Sequence, residues 1–267
     1  MSAEESDALE SGELTLIGRI TDASNATLVC DAVSGANSVR CVYKPIRGER
    51  ALWDFPDGTL AGREYASYLV SEQLGWSVIP HTVLREGPFG RGMVQRWIDT
   101  PDRHGDGAAG LDLVDICTPD AVPEGWFAIL QATDMEGNPI VLIHADDPRL
   151  QRMAVLDVLI NNADRKGGHA LEGLDGSVYG VDHGICLHTE NKLRTVLWGW
   201  AGTEVPGTLV ADVGGLISSL EGDFGVRLGA YITPDEVVAL YERAVDLVAA
   251  PVMPRPRGRR PIPWPAF

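Results

Sequence analysis

Lysine is nearly absent from this chain. Of 22 basic residues in 267, only Lys44, Lys166 and Lys192 are lysines, and the other 19 are arginines. Positive charge is scarce overall, with 38 acidic residues giving a formal net charge of −16. Such a surface repels phosphate backbones and anionic headgroups, which disfavours nucleic-acid binding and stable membrane docking. No window approaches the roughly 18 to 20 apolar residues of a membrane span. The opening residues, MSAEESDALESGE, lack the basic-then-apolar layout of a secretion signal. Residues 1–13 are expected to be a disordered acidic lead. Cys30, Cys41, Cys117 and Cys186 are scattered without a CxxC pair. Zinc ribbons and disulfide frameworks are thereby disfavoured, and a reducing cytoplasm is expected. The chain also lacks GxxxxGK[ST] and GxSxG, which argues against a P-loop enzyme and a serine hydrolase of the elbow type, and the loop from Thr21 to Thr27 has no glycine-rich GxGxxG.

What is present falls into two parts. LTLIGRI, TLVCDAV and VRCVYKP are short apolar runs broken by Gly, Asn and Ser, the pattern of an antiparallel meander. REYASYLVSEQLGW follows as a helix with Gly75 as its stop, and GPFG closes a further hairpin. The Gly- and Asp-rich stretch TPDRHGDGAAGLD reads as a linker. Beyond it, WFAILQATD and PIVLIHADD flank a MEGN turn. DDPRLQRMAVLDVLINNA predicts a helix capped by Asp147 with Pro148 at its first position, and TPDEVVALYERAVDLVA opens on a capping box. The expected fold class is α+β and bilobal, with a small β-rich N-lobe over 14–100, a helical C-lobe over 101–250 and a Pro/Arg-rich tail over 251–267.

The stretch NNADRKGGHALEGLDGSVYGVDHG, residues 161–184, carries the densest chemistry. A carboxylate in a Gly-containing loop, Asp164, can accept a proton from a hydroxyl, with Arg165 beside it to orient or pair with phosphate. An apolar strand then delivers Asp182 to a turn, where a carboxylate suits a magnesium ion bridging phosphates. His169 stands between them as a second metal-site candidate, although hard oxygen ligands suit magnesium better. Lys44 ends a strand, where a point charge can pair with the phosphates of ATP, and Glu64, twenty residues on, can hold it. Ser24 and Asn25, between the first two strands, offer a turn nest for phosphate oxygens. Each of these has an ordinary alternative as a solvated loop or helix residue. Their order along one chain favours ATP-dependent phosphoryl transfer.

VYKP, GREYASYLVSEQLGWSVIPHTVL, NNADRKGGH and GVDHG together resemble the phosphatidylinositol 3/4-kinase superfamily. That superfamily includes type II phosphatidylinositol 4-kinases and HipA-like protein kinases. The chain is similar to an actinobacterial subgroup with the NADRKGGH signature. The resemblance runs from about Leu14 to the C-terminal helix and implies a protein-kinase-like fold using ATP and Mg2+. It implies Lys44 as the phosphate-binding lysine, Glu64 as its brace, and Gln95-Arg96-Trp97 as the adenine hinge. It implies Asp164 as the catalytic aspartate and Asp182 as the principal magnesium ligand. His169 departs from the usual Asn. The expected acceptor is a hydroxyl on a protein Ser/Thr or a soluble small molecule. A lipid kinase, a nucleotide-binding pseudokinase and an adenylyl transferase on the same scaffold are the alternatives.

Overall fold

The computed structural model describes residues 2–20, 25–103 and 110–267. The first element corrects an expectation. The acidic lead forms helix α1 (Ala3–Ser11), in which Ser2 and Glu5 complete a capping box. Glu4 and Glu5 lie in its first turn, where negative charge complements the helix dipole. Ala8 and Leu9 are buried. Two apolar residues with a sheet to cover are enough to order a segment whose average composition is polar.

Strands β1 (Glu13–Ile20), β2 (Thr27–Ser34), β3 (Asn37–Pro45), β4 (Thr82–Gly87) and β5 (Gly90–Arg96) form one antiparallel sheet in the order β1-β2-β3-β5-β4. Its register matters for the site. Lys44 pairs with Met93 and Val42 with Gln95, so these four share one face, because side chains two apart on a strand point the same way. Cys41, Tyr43 and Val94 point to the other face and join Ala8 and Leu9 of α1 in a separate core. Helix α2 (Leu60–Gln73) packs on β4 and β5, and α1 closes the opposite side.

The second core gathers most of the remaining apolar residues. Strands β6 (Val114–Cys117), β7 (Trp126–Thr133) and β8 (Pro139–Ala145) make a three-stranded antiparallel sheet with β8 in the middle. Helix α3 (Pro148–Leu159) follows, then the short hairpin of β9 (Ala170–Glu172) and β10 (Val178–Gly180). Helices α4 (Gly207–Leu220), α5 (Asp223–Leu228) and α6 (Pro234–Ala249) complete the unit. The fold is α+β with two cores, a β-rich one and a largely helical one. Helix α2 joins them: its Arg63 is buried, pairs with Glu236 of α6 and donates to the Cys186 carbonyl. The capping box expected at TPDE is present, Thr233 and Glu236 bonding reciprocally.

The proline-rich tail lies back on this second unit. The Thr195 N–H donates to the Pro261 carbonyl and the Gly167 N–H to the Ala266 carbonyl at 2.8 Å. The Phe267 ring sits so close over Gly167 that a Cβ there would collide with it.

His144 at the end of β8 shows how the sheet is tied to the helices. It is fully buried, its Nδ1 2.9 Å from the Ala145 carbonyl and its Nε2 3.0 Å from the Gly199 N–H. The carbonyl can only accept and the amide can only donate, so the ring is the neutral Nδ1–H tautomer. Burial pushes its pKa down to about 4. A histidine with a depressed folded pKa contributes stability that is present above its unfolded pKa and lost as pH falls from about 6.5 toward 4. Relative to wild type, His144→Gln is therefore expected to be destabilised most near pH 7.5, by about 1–3 kcal/mol. Urea titrations at several pH values should show that deficit shrinking as pH drops toward 4.5. A deficit constant across the range would exclude the linkage.

Candidate active site

Three elements converge on one lysine. Lys44 of β3 places its Nζ 2.8 Å from Glu64 Oε1 of α2 and 2.7 Å from Asp182 Oδ1, in the turn after β10. Burial works against the Lys44 charge, but Asp182 and Glu64 outweigh it and hold the pKa above its usual value. Lys44 in turn keeps Asp182 well below the carboxylate range, against the opposing effect of burial. Burial raises Glu64 to about 7 despite Lys44. Its second oxygen, Oε2, is buried without a hydrogen-bond partner among the described residues. Asp182 sits at φ +60°, a left-handed conformation rare for a residue with a side chain. Such strain persists only where surrounding contacts dictate it.

Those contacts come from the loop after α3. Arg165 is fully buried and forks onto Asp157 of α3, with Nη2 2.9 Å from Oδ1 and Nε 3.0 Å from Oδ2. Its Nη1 donates to the carbonyls of His169 and Val181, and its Nη2 lies 2.6 Å from His183 Nε2. Gly180 leaves room for this guanidinium, since a Cβ there would stand 3.0 Å from Nη2. Asn162 donates to Asp157 and accepts from the Asp164 N–H. Asn161, at φ +52°, uses its side chain to tie down the carbonyls of His188 and Glu190 and the Lys192 N–H. One buried arginine thus holds the 161–169 loop and the 181–183 turn in fixed relation.

On that frame stand Asp164 and His169. Burial raises Asp164 to about 6, with Lys166, whose Nζ is 3.7 Å from Oδ2, acting the other way. His169 Nδ1 is 3.0 Å from the Asp164 carbonyl, and its Nε2 is 3.5 Å from Asp182 Oδ2. Among the described residues no group of three or more His, Cys, Asp or Glu side chains could hold a metal ion. The donor set is a pair, His169 and Asp182. Magnesium commonly takes one or two protein carboxylates and fills its other positions with water and substrate phosphates, so Asp182 fits a metal shared with a polyphosphate, while His169 adds a nitrogen donor that suits magnesium less well.

Comparison with known proteins gives a near relative. Protein Rv2133c of Mycobacterium tuberculosis is 56% identical over 266 residues, covering 99% of this chain and 96% of that protein. The chain belongs to the same family as Rv2133c. No family model matches. Among solved structures, the Helicobacter pylori proinflammatory kinase CtkA aligns over 91% of this chain and 94% of its own, with a TM-score of 0.44 and 9% identity.

The geometry of the chain sorts the residues singled out in the sequence. Lys44, Glu64, Asp182 and His169 come together, and Asp164 joins them through its carbonyl bond to His169. Arg165 does not line an open site. Every nitrogen of its guanidinium is engaged inside the fold, so the expectation that it pairs with phosphate is corrected to a structural brace. The Gln95 side chain is buried and donates to Thr82 Oγ1 within the sheet, and the Trp97 N–H donates to the Arg40 carbonyl. Those two donors are engaged within the sheet, whereas the Trp97 ring is exposed. Ser24 lies outside the described residues. Asn25 Oδ1 accepts the Arg50 N–H, which fastens the loop to the segment after β3. Asp157 and Asn162 were missed, because a buried acid within an apolar helix has no signature of its own. The i+8 spacing from Asp157 to Arg165 was the only signal. A cavity of about 400 Å³ adjoins the loop, lined by Thr100–Arg103, Asp112–Val114, Gly167–Gly168, Ala170–Glu172 and Phe267.

Asp157→Ala should strand the Arg165 charge in the core. Breaking a buried pair in this way costs about 3–5 kcal/mol. Chemical denaturation should report a loss of that size, with partial recovery in Asp157→Leu/Arg165→Met. A loss below about 1 kcal/mol would remove the pair from its bracing role.

Proposed function

We propose that this protein is an atypical ATP-dependent kinase that transfers phosphate from Mg–ATP to the hydroxyl of a soluble acceptor, a protein Ser/Thr or a small alcohol, in the cytoplasm. The observation that carries this reading is the single lysine shared between Glu64 and Asp182. A strand lysine braced by a helix carboxylate and facing a metal-binding carboxylate is an arrangement phosphoryl transfer uses. The domain limits proposed are those expected from the sequence, except that α1 belongs with the N-terminal sheet.

In this reading Lys44 pairs with nucleotide phosphates and Glu64 keeps it extended. Asp182 and His169 would hold the metal. A bound metal supplies neutralisation of the charge on the transferred group. Asp164 orients the acceptor hydroxyl and takes its proton, and a carboxyl raised to about 6 by burial is a better base than an exposed one. Lys166 tunes that base. The net charge of −16 and the absence, among the described residues, of any helix able to cross a membrane favour an acceptor away from anionic lipid.

Mg–ATP at a hundredfold excess over its Kd should stabilise the protein by about 2.7 kcal/mol, seen as a raised Tm. Lys44→Ala and Asp182→Ala should each abolish most of that shift. No shift in the wild-type protein at millimolar nucleotide would sink the kinase reading.

Asp164→Asn should keep nucleotide Kd within a few fold and lower kcat by about 10²- to 10⁴-fold. Because the base must be ionised, turnover should be present above pH 6 and fall as pH drops through about 6. Lys166→Ala removes a charge that lowers the Asp164 pKa, so its acid limb should move to higher pH. A limb that stays in place in Lys166→Ala would take Asp164 out of the titration.

A further inference from the structure

We infer that this site selects manganese(II) over magnesium, with His169 Nε2 as a direct ligand. The inference rests on the phosphoryl-transfer reading and concerns the residue at which this chain departs from the family it resembles. The Asp164 carbonyl, 3.0 Å from Nδ1, can only accept a hydrogen bond, so Nδ1 carries the proton. In the neutral ring Nε2 is then a lone pair. It points at Asp182 Oδ2, another acceptor, across 3.5 Å. Two acceptors turned toward each other call for a cation between or beside them.

The donor chemistry then chooses the metal. A carboxylate and phosphate oxygens suit magnesium and manganese alike, whereas an imidazole nitrogen favours a transition metal. Zinc and copper would gain more from nitrogen or sulfur, but their closed sites need more protein donors than this pair provides. Manganese(II) takes an oxygen-rich octahedral shell and accepts one imidazole within it. The orientation of His169 is not incidental, since the loop that fixes its backbone is held by Arg165.

The test uses the full chain labelled with ¹⁵N-histidine and loaded with Mn2+ and unlabelled ATP. Histidine nitrogen then separates from adenine nitrogen in pulsed electron paramagnetic resonance. The expected result is a ¹⁵N coupling of directly bound imidazole, absent from His169→Asn. Competition should show Mn2+ preferred over Mg2+ by roughly tenfold or more in wild type and by only a few fold in His169→Asn. Circular dichroism establishes that the variant is folded, and the wild-type ¹⁵N signal stands without it. Asp182-dependent Mn–ATP binding with no histidine coupling would overturn the inference and leave the kinase reading intact. Failure of either metal to promote nucleotide binding would overturn both.

Discussion

The ion pair between Asp157 and Arg165 is the constraint on which the rest of the site depends. Neither side chain is exposed to solvent. A buried pair of this kind is seldom a net source of stability, because desolvation of both charges offsets their attraction. Its value lies in geometry. Arg165 has more donors than Asp157 can accept, and the surplus goes to carbonyls of His169 and Val181 and to the His183 ring. One guanidinium therefore sets the distance between the loop bearing Asp164 and His169 and the turn bearing Asp182.

The second constraint is helix α2, which belongs to both cores. Arg63 fixes it to α6 and to the Cys186 carbonyl, and Glu64, the next residue, meets Lys44. Neighbouring residues on one helix thus tie the β-rich sheet to the helical unit. The N-terminal sheet is insulated on its far side by α1 and its own small core. Lys44 can then point toward the boundary between the units, because the alternation of β3 sends Cys41 and Tyr43 the opposite way.

The tail adds a third layer. Its proline-rich course ends with Ala266 bonded to Gly167 and Phe267 over the same glycine. Gly167 is two residues from His169 and three from Asp164, so the tail supports the outer side of the loop whose inner side Arg165 holds. The absence of a side chain at Gly167 makes that approach possible.

Sequence pattern by itself determined the strands of the first sheet, the hairpins, helices α2, α3 and α6, the N-terminal caps of α3 and α6, and the grouping of Lys44, Glu64, Asp164, His169 and Asp182. These are set by local periodicity, by turn chemistry and by residue types that have few uses at such positions. Tertiary structure decided the rest. Helix α1 is ordered because a sheet face lies beneath Ala8 and Leu9, which its polar composition does not announce. Arg165 and Asp157 became partners because the chain turns back after α3, and their burial converts a charged loop residue into a brace. The Gln95 side-chain amide and the Trp97 main-chain N–H bond within the sheet for the same reason, that a donor's partner is chosen by what folds against it. The direction of a lone pair on His169 is likewise invisible in the sequence, because it depends on which carbonyl the loop brings to its other nitrogen.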